Sequence, residues 1–221
     1  MDIEAIWVSI ELAACTTLVL FLIGLPLARW LAVTRWRLKF LLEAVVVLPM
    51  ILPPTVLGFY ILVAIGPMSP LGRAYEVMTG HALAFSFQGL LLASIFYSLP
   101  FAVRPFAAAF AGVDRRLVEA SWCLGVSRVR TFLQIECPLS WAGILTGLVL
   151  SFAHTLGEFG VVLMVGGNIP GVTRTVSIAI YDEVQAVDYR KAAITSLVLL
   201  ASSFVALSVT HLVNGKGRYA A

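Results

Sequence analysis

Charge is what this sequence has little of. Of its 221 residues, 12% are Asp, Glu, Lys or Arg, while 60% are hydrophobic. An ordinary soluble domain carries about 25% charged residues. The shortage argues against a soluble globular chain and more strongly against disorder, which needs charge and few apolar side chains. The net charge of +3 is too mild for a strongly basic nucleic-acid binder. Cysteine is also scarce. Cys15, Cys123 and Cys137 are odd in number and contain no C-x-x-C pair, so neither a disulfide framework nor a zinc site is supported. No G-x-x-x-x-G-K-[ST], H-E-x-x-H or G-x-S-x-G occurs, and His81, His154 and His211 are scattered. Nothing here cradles ATP phosphates in the Walker manner or forms a recognisable hydrolase site.

What is present is a set of long charge-free runs: Leu12–Ala28, Ala44–Gly72, Val77–Val103, Cys137–Gly157 and Ala192–Gly215, with a shorter one at Phe159–Thr173. A helix crosses a bilayer with about 20 apolar residues. The runs predict an all-α integral membrane protein, one transmembrane domain over 1–221, with about five spans near 7–30, 40–65, 82–103, 138–157 and 192–213. Phe159–Thr173 holds Gly166, Gly167, Pro170 and Gly171 and is read as a re-entrant or extracytoplasmic segment. Trp7 and Trp30 bracket the first span about 35 Å apart, as interfacial anchors do. The flank before it is acidic (Asp2, Glu4, Glu11), which argues for a retained helix and against a cleaved signal.

Basic residues set the expected orientation. Arg29, Arg35, Arg37 and Lys39 lie between spans one and two. Arg104, Arg115, Arg116, Arg128 and Arg130 lie between spans three and four, and Lys216 and Arg218 follow span five. On the other side Arg73, Arg174, Arg190 and Lys191 are diluted by Glu76, Asp182, Glu183 and Asp188. The expectation is N-terminus outside and C-terminus inside. Ion-coupled carriers bury several ionisable groups in their spans, and here only His154, Glu158 and Glu43 qualify. The scarcity favours a passive pathway driven by another subunit over a self-sufficient carrier or a purely structural membrane protein.

The longest inner loop, 107–136, carries the clearest signal. Asp114 suits a helix N-cap, and Leu117, Val118, Ser121 and Trp122 follow at helical spacing. Gly125 stands where a helix C-terminus needs positive φ, and Ser127 suits a second cap. Helix, glycine turn, helix is open to three readings: a pair lying on lipid headgroups, a DNA-binding element held implausibly against the bilayer, or a docking element for a cytoplasmic partner. A chain without a motor favours docking.

Glu119-Ala120-Ser121, then Gly125, then Ile135 and Pro138, resemble the EAA loop of binding-protein-dependent ABC importer permeases. Ser121 replaces the second Ala of that pattern, and Cys137 replaces a Leu. Leu48-Pro49-Met50-Ile51-Leu52-Pro53-Pro54-Thr55-Val56-Leu57-Gly58 and Leu83-Ala84-Phe85-Ser86-Phe87 are similar to molybdate permeases. So are Ser151-Phe152-Ala153, Leu156-Gly157-Glu158-Phe159-Gly160 and Gly167-Asn168-Ile169-Pro170-Gly171 with Thr173-Arg174-Thr175. Sulfate/thiosulfate permeases share part of these elements. The resemblance implies a type I importer permease fold in the bacterial cytoplasmic membrane and a pathway for an oxyanion, most of all molybdate. Sulfate, thiosulfate or tungstate are the alternatives. It implies pairing with a second copy, a periplasmic or lipid-anchored oxyanion-binding protein, and cytoplasmic ATPase subunits that hold the ATP–Mg. This chain would bind no cofactor and no nucleic acid. It further implies that Glu119, Ala120, Ser121, Gly125, Val126, Ile135 and Pro138 dock the ATPase.

For the pathway or its gate the candidates are Pro53, Pro54, Thr55, Ser151, His154 and Glu158. Prolines force span two to kink or unwind, either beside the pathway or only for packing. His154 and Glu158 are one helical turn apart and are expected to pair. Glu158 is otherwise a helix-end residue reaching water, or a gate. Gly143 and Gly147 form G-x-x-x-G, which lets two helices approach closely. The resemblance suggests the subunit pairing axis as their place.

Overall fold

The computed structural model describes residues 2–218, all helix and connecting turns, with no strand among them. The side chains of Lys216 and Arg218, used in the orientation argument, lie outside the described residues. Three helices are long and apolar enough to cross a membrane singly: α1 (Ile3–Val33), α5 (Phe87–Ala111) and α12 (Tyr189–Arg218, apolar over Tyr189–Ser208). Two further spans are broken. α2 (Lys39–Ile51) and α3 (Pro54–Ile65) meet at 112°, and the Arg128–Leu139 stretch meets α9 (Trp141–Leu156) at 75°. Counting each bent pair as one span gives five.

The sequence explains the elements and the departures from expectation. Asp2 caps α1, its carboxylate accepting from the Ala5 amide at 3.0 Å. Span three begins at Phe87 and not at Ala82, because Phe85 takes a left-handed φ of 60° and Ser86 then caps the helix. It also runs on past Val103, through Arg104 and Pro105 to Ala111. A lone arginine at an interface does not end a helix, since the next residues, Phe106 to Ala111, are all apolar. Residues 107–111 therefore belong to α5 and not to the loop that follows it. Span two fails as one straight helix at Leu52–Pro53, where Pro53 and Pro54 cannot donate to the preceding turn.

α1 packs lengthwise on α5 and α9. Leu20, Leu25, Ala28 and Leu31 meet Ala102, Val103, Phe106, Phe110 and Ile144 in the main buried cluster. The Phe159–Thr173 segment forms a short helix, α10 (Gly160–Gly166). It packs between α3 and α5 and buries Val161, Val162 and Val165 completely. The re-entrant expectation thus becomes a helix held inside the protein, where irregular backbone at membrane depth is tolerated. α4 (Pro70–Thr79) and α11 (Val176–Gln185) complete the connections, each flanking a span.

Gly143 and Gly147 do not present a free face for a second copy. A Cβ at Gly143 would lie 2.4 Å from the Ala109 Cβ, and one at Gly147 would lie 2.5 Å from the Phe106 ring. The glycines seat α9 against α5 of the same chain.

Candidate functional site

The 112–136 segment folds as its spacing predicts. Asp114 caps α6 (Arg115–Cys123), accepting from the Arg116 amide at 2.9 Å. Gly125 takes φ +79°. The Val126 amide donates to the Ser121 carbonyl at 3.0 Å, and the Gly125 amide donates to the Trp122 carbonyl at 2.9 Å. Those two bonds are the Schellman closure of a helix, which satisfies its last carbonyls. Ser127 then caps the short α7 (Arg128–Thr131). The chain continues through a π turn (Phe132–Glu136) and α8 (Cys137–Leu139) into α9.

Ser121 is more than a size-matched stand-in for alanine. Its hydroxyl and that of Thr131 lie 2.8 Å apart, both fully buried, and it also donates to the Val118 carbonyl. This bond staples α6 to α7 across the glycine turn. Ser121→Ala removes it and leaves the Thr131 proton free to turn to the Ser127 carbonyl, 3.1 Å away. The expected cost is about 1 kcal/mol, seen as roughly fivefold faster amide exchange in α6 with α5 unchanged.

Around this staple the element is exposed. Glu119, Ala120, Gly125 and Pro138 face solvent, and Val126 and Ile135 are half-buried. Leu117, Trp122, Leu124, Val129 and Leu133 are exposed apolar side chains, Leu124 at 84%. Arg128 lies over the Trp122 ring at 5.7 Å. An apolar, cation-fringed tip on a rigid turn suits insertion into a groove on a partner.

The expected pathway residues fall into two groups. Pro53 and Thr55 are exposed at the break, and Pro54 packs on Gly160 at the start of α10, where a Cβ would lie 2.7 Å away. Glu158 is buried beside this contact. Its carboxylate accepts from the Val161 amide at 2.9 Å, capping α10. It therefore does not reach water as a plain helix end does. Ser151 and His154 lie on α9. Ser151 is fully buried and donates to the Gly147 carbonyl of its own helix. His154 stacks on Phe101 with ring centres 3.8 Å apart, and Tyr97 lies 4.9 Å away. The expected His154–Glu158 pair is not made, because stacking turns the imidazole to α5 and α10 claims the carboxylate. Next to His154, the Thr155 and Ser98 hydroxyls bond at 2.8 Å, tying α9 to α5.

Two polar constellations went unseen in the sequence. At the N-terminal end of α1, Arg174 reaches Asp2, Asn168 and Asp182, and Asn168 donates to Asp182 at 2.8 Å. At the other end of α1, Arg29 pairs with Glu136 through two contacts. Glu136 is the only acid in the π turn and stands beside the Pro138 entry to α9. That placement, opposite an arginine closing a charge-free run, was the available signal. Among the described residues no group of three or more His, Cys, Asp or Glu converges on a metal-sized site.

The model of the family described as binding-protein-dependent transport system inner membrane component matches residues 21–218. The chain belongs to that family. Among its relatives, the molybdenum transport system permease protein ModB of Azotobacter vinelandii is 49% identical over 191 residues, 86% of this chain and 84% of that one. Solved permeases share the fold. The MetNI methionine ABC transporter in inward-facing form aligns at TM-score 0.70 and 16% identity, covering 96% of both chains. A bacterial alginate ABC transporter in complex with a periplasmic protein bound to alginate pentasaccharide aligns at TM-score 0.73 and 18% identity, covering 98% of this chain and 78% of that one. The type I importer permease fold and the inner-membrane placement of the family thus apply to this chain.

Proposed function

We propose that this chain is the transmembrane permease subunit of an ATP-driven importer that carries molybdate into the cell. The carrying observation is 49% identity with a molybdenum permease over most of both chains. The exposed helix–glycine–helix element in a chain without a nucleotide motif supports it. On this reading two copies form the path, with the N-terminus outside. ATPase subunits grip Glu119, Ala120, Ser121, Gly125, Val126, Ile135 and Pro138 from the cytoplasm and perform all nucleotide chemistry. A molybdate-loaded binding protein delivers the anion from outside. ATPase closure moves the inner element, and the path opens alternately to each side. The broken span at Pro53–Pro54 and the capped turn at Glu158 flank that path. Glu158 acts there by holding α10, since a carboxylate repels an oxyanion.

Reconstitution tests this. Proteoliposomes holding the chain with its ATPase subunit should take up labelled molybdate when ATP and the loaded binding protein are supplied. Excess sulfate should compete poorly. Uptake by the chain alone under a proton or sodium gradient would overturn the reading, and better competition by sulfate would overturn the choice of anion.

A further inference from the structure

The Arg29–Glu136 pair joins residues 107 positions apart. Arg29 Nε donates to Glu136 Oε2, and Nη2 donates to Oε1 at 2.8 Å. Glu136 is 4% exposed. A two-pronged guanidinium–carboxylate contact fixes orientation as well as distance, which a lysine ammonium does not. Phe132, at the start of the same π turn, lies under the guanidinium at 5.3 Å and against Phe110 at 5.8 Å. π turns within helices occur frequently at functional sites.

Elsewhere the docking element is loosely held. α6 packs on α7 and the π turn. A cavity of about 360 Å³, walled by Val33, Phe110, Val118 and Trp122 among others, separates it from the ends of α1 and α5. Arg115 donates to the Val33 carbonyl only at 3.5 Å. The chain leaves the element through a 75° bend into α9. α1, by contrast, is one helix of 31 residues. Its far end is tied by Asp2 to Arg174 at 3.5 Å, and by Ser9 Oγ, which accepts from the Val176 amide at 2.7 Å.

We infer that Arg29 and Glu136 are positioning residues that lock α1 to the docking element, so that the state of the 168–176 segment and the state of the ATPase subunits are read through span one. The inference rests on the permease reading above. Without the joint, α1 keeps only the long Arg115–Val33 contact to the element, and motion enters the bundle through α5, by the 112–114 link and Phe132 on Phe110, and through the bend before α9.

The test is binding-protein-stimulated ATP hydrolysis by the whole complex in proteoliposomes, with molybdate as ligand. Breaking one partner alone would strand a buried charge, so the main variant carries both Arg29→Gln and Glu136→Gln. It should assemble with the ATPase subunits and hydrolyse ATP without binding protein at the wild-type rate. Its stimulation by loaded binding protein should fall at least about fivefold. Arg29→Lys should fall between this variant and wild type. The reversed pair, Arg29→Glu with Glu136→Arg, should recover most of the stimulation. Stimulation of the neutral double variant within about twofold of wild type overturns the inference. If that variant does not assemble, undiminished stimulation in Arg29→Lys overturns it instead. A wild-type complex that shows no stimulation at all refutes the permease reading and not the joint alone.

Discussion

Replacing Gly125 with valine is expected to abolish molybdate uptake while leaving the protein inserted at normal levels. The backbone there sits at φ +79°, where a β-branched residue is a genuine outlier. A Cβ at this position would meet nothing within 4 Å. The defect is therefore one of backbone conformation and not of crowding. The left-handed conformation costs an L-residue roughly 1–2 kcal/mol, and a β-branched one more. Relieving it means opening the turn, which breaks the Val126–Ser121 and Gly125–Trp122 bonds and swings α6 relative to α7. Uptake should fall at least about tenfold in Gly125→Val, less in Gly125→Ala and least in Gly125→Asn, because asparagine tolerates that region. ATP hydrolysis should lose its dependence on the binding protein in the same order. Full uptake by the valine variant would show that the angle of this turn does not matter to coupling.

Gly147→Val should fail earlier, at folding. Its Cβ would lie 2.5 Å from the Phe106 ring and 2.9 Å from the Ala102 carbonyl oxygen. Phe106 is fully buried in the main cluster and has no room to swing away. α5 and α9 must part, and overpacking of a tight core costs about 1–3 kcal/mol or more. Here both a ring and a backbone carbonyl resist, so the upper end is expected. The Ser98–Thr155 bond further along the same seam would be strained as well. The measurement is the yield and thermal midpoint of purified protein. Most of the yield should vanish, and adding Phe106→Ala should restore part of it, since the two sites are in contact. A valine variant with the parent midpoint would mean that the two helices are not in register as described.

The loop around Gly125 was legible because its chemistry is local. Asp114, Gly125 and Ser127 act on amides within four residues, so spacing alone announces caps and turn. The charge-free runs likewise announced five spans, broken ones included. Prolines flagged the break after Leu52 but gave no angle, since the angle depends on what α3 packs against. Span three departs from its expected bounds at both ends. Phe85's left-handed backbone delays its start, and a charge count cannot see a helix continue past Arg104. The contacts that sequence reasoning missed are those between distant positions. Ser121 stands where the resembling pattern has an alanine, but its hydroxyl matters because Thr131 is brought opposite. His154 and Glu158 were paired by helical spacing, yet the helix ends at Leu156 and the two residues serve different elements. Gly143 and Gly147 did mark a close approach, and only the fold showed that the partner helix is intramolecular.

The seam between α3 and α10 carries a consequence for biosynthesis. Gly58 sits against Met164 and Val161, and Gly160 against Pro54, with ideal Cβ positions as close as 2.7–2.8 Å. The half-span thus rests on a segment that leaves the ribosome much later. At about 5–20 residues per second, roughly 5–20 s of translation separate the two. During that interval α5 can already pack on α2 and α3, but the surface that α10 gives the proline break is missing, and lipid offers no partner to a freed carbonyl. The bent pair α2 and α3 therefore completes its packing only once α10 has been made, well after α5.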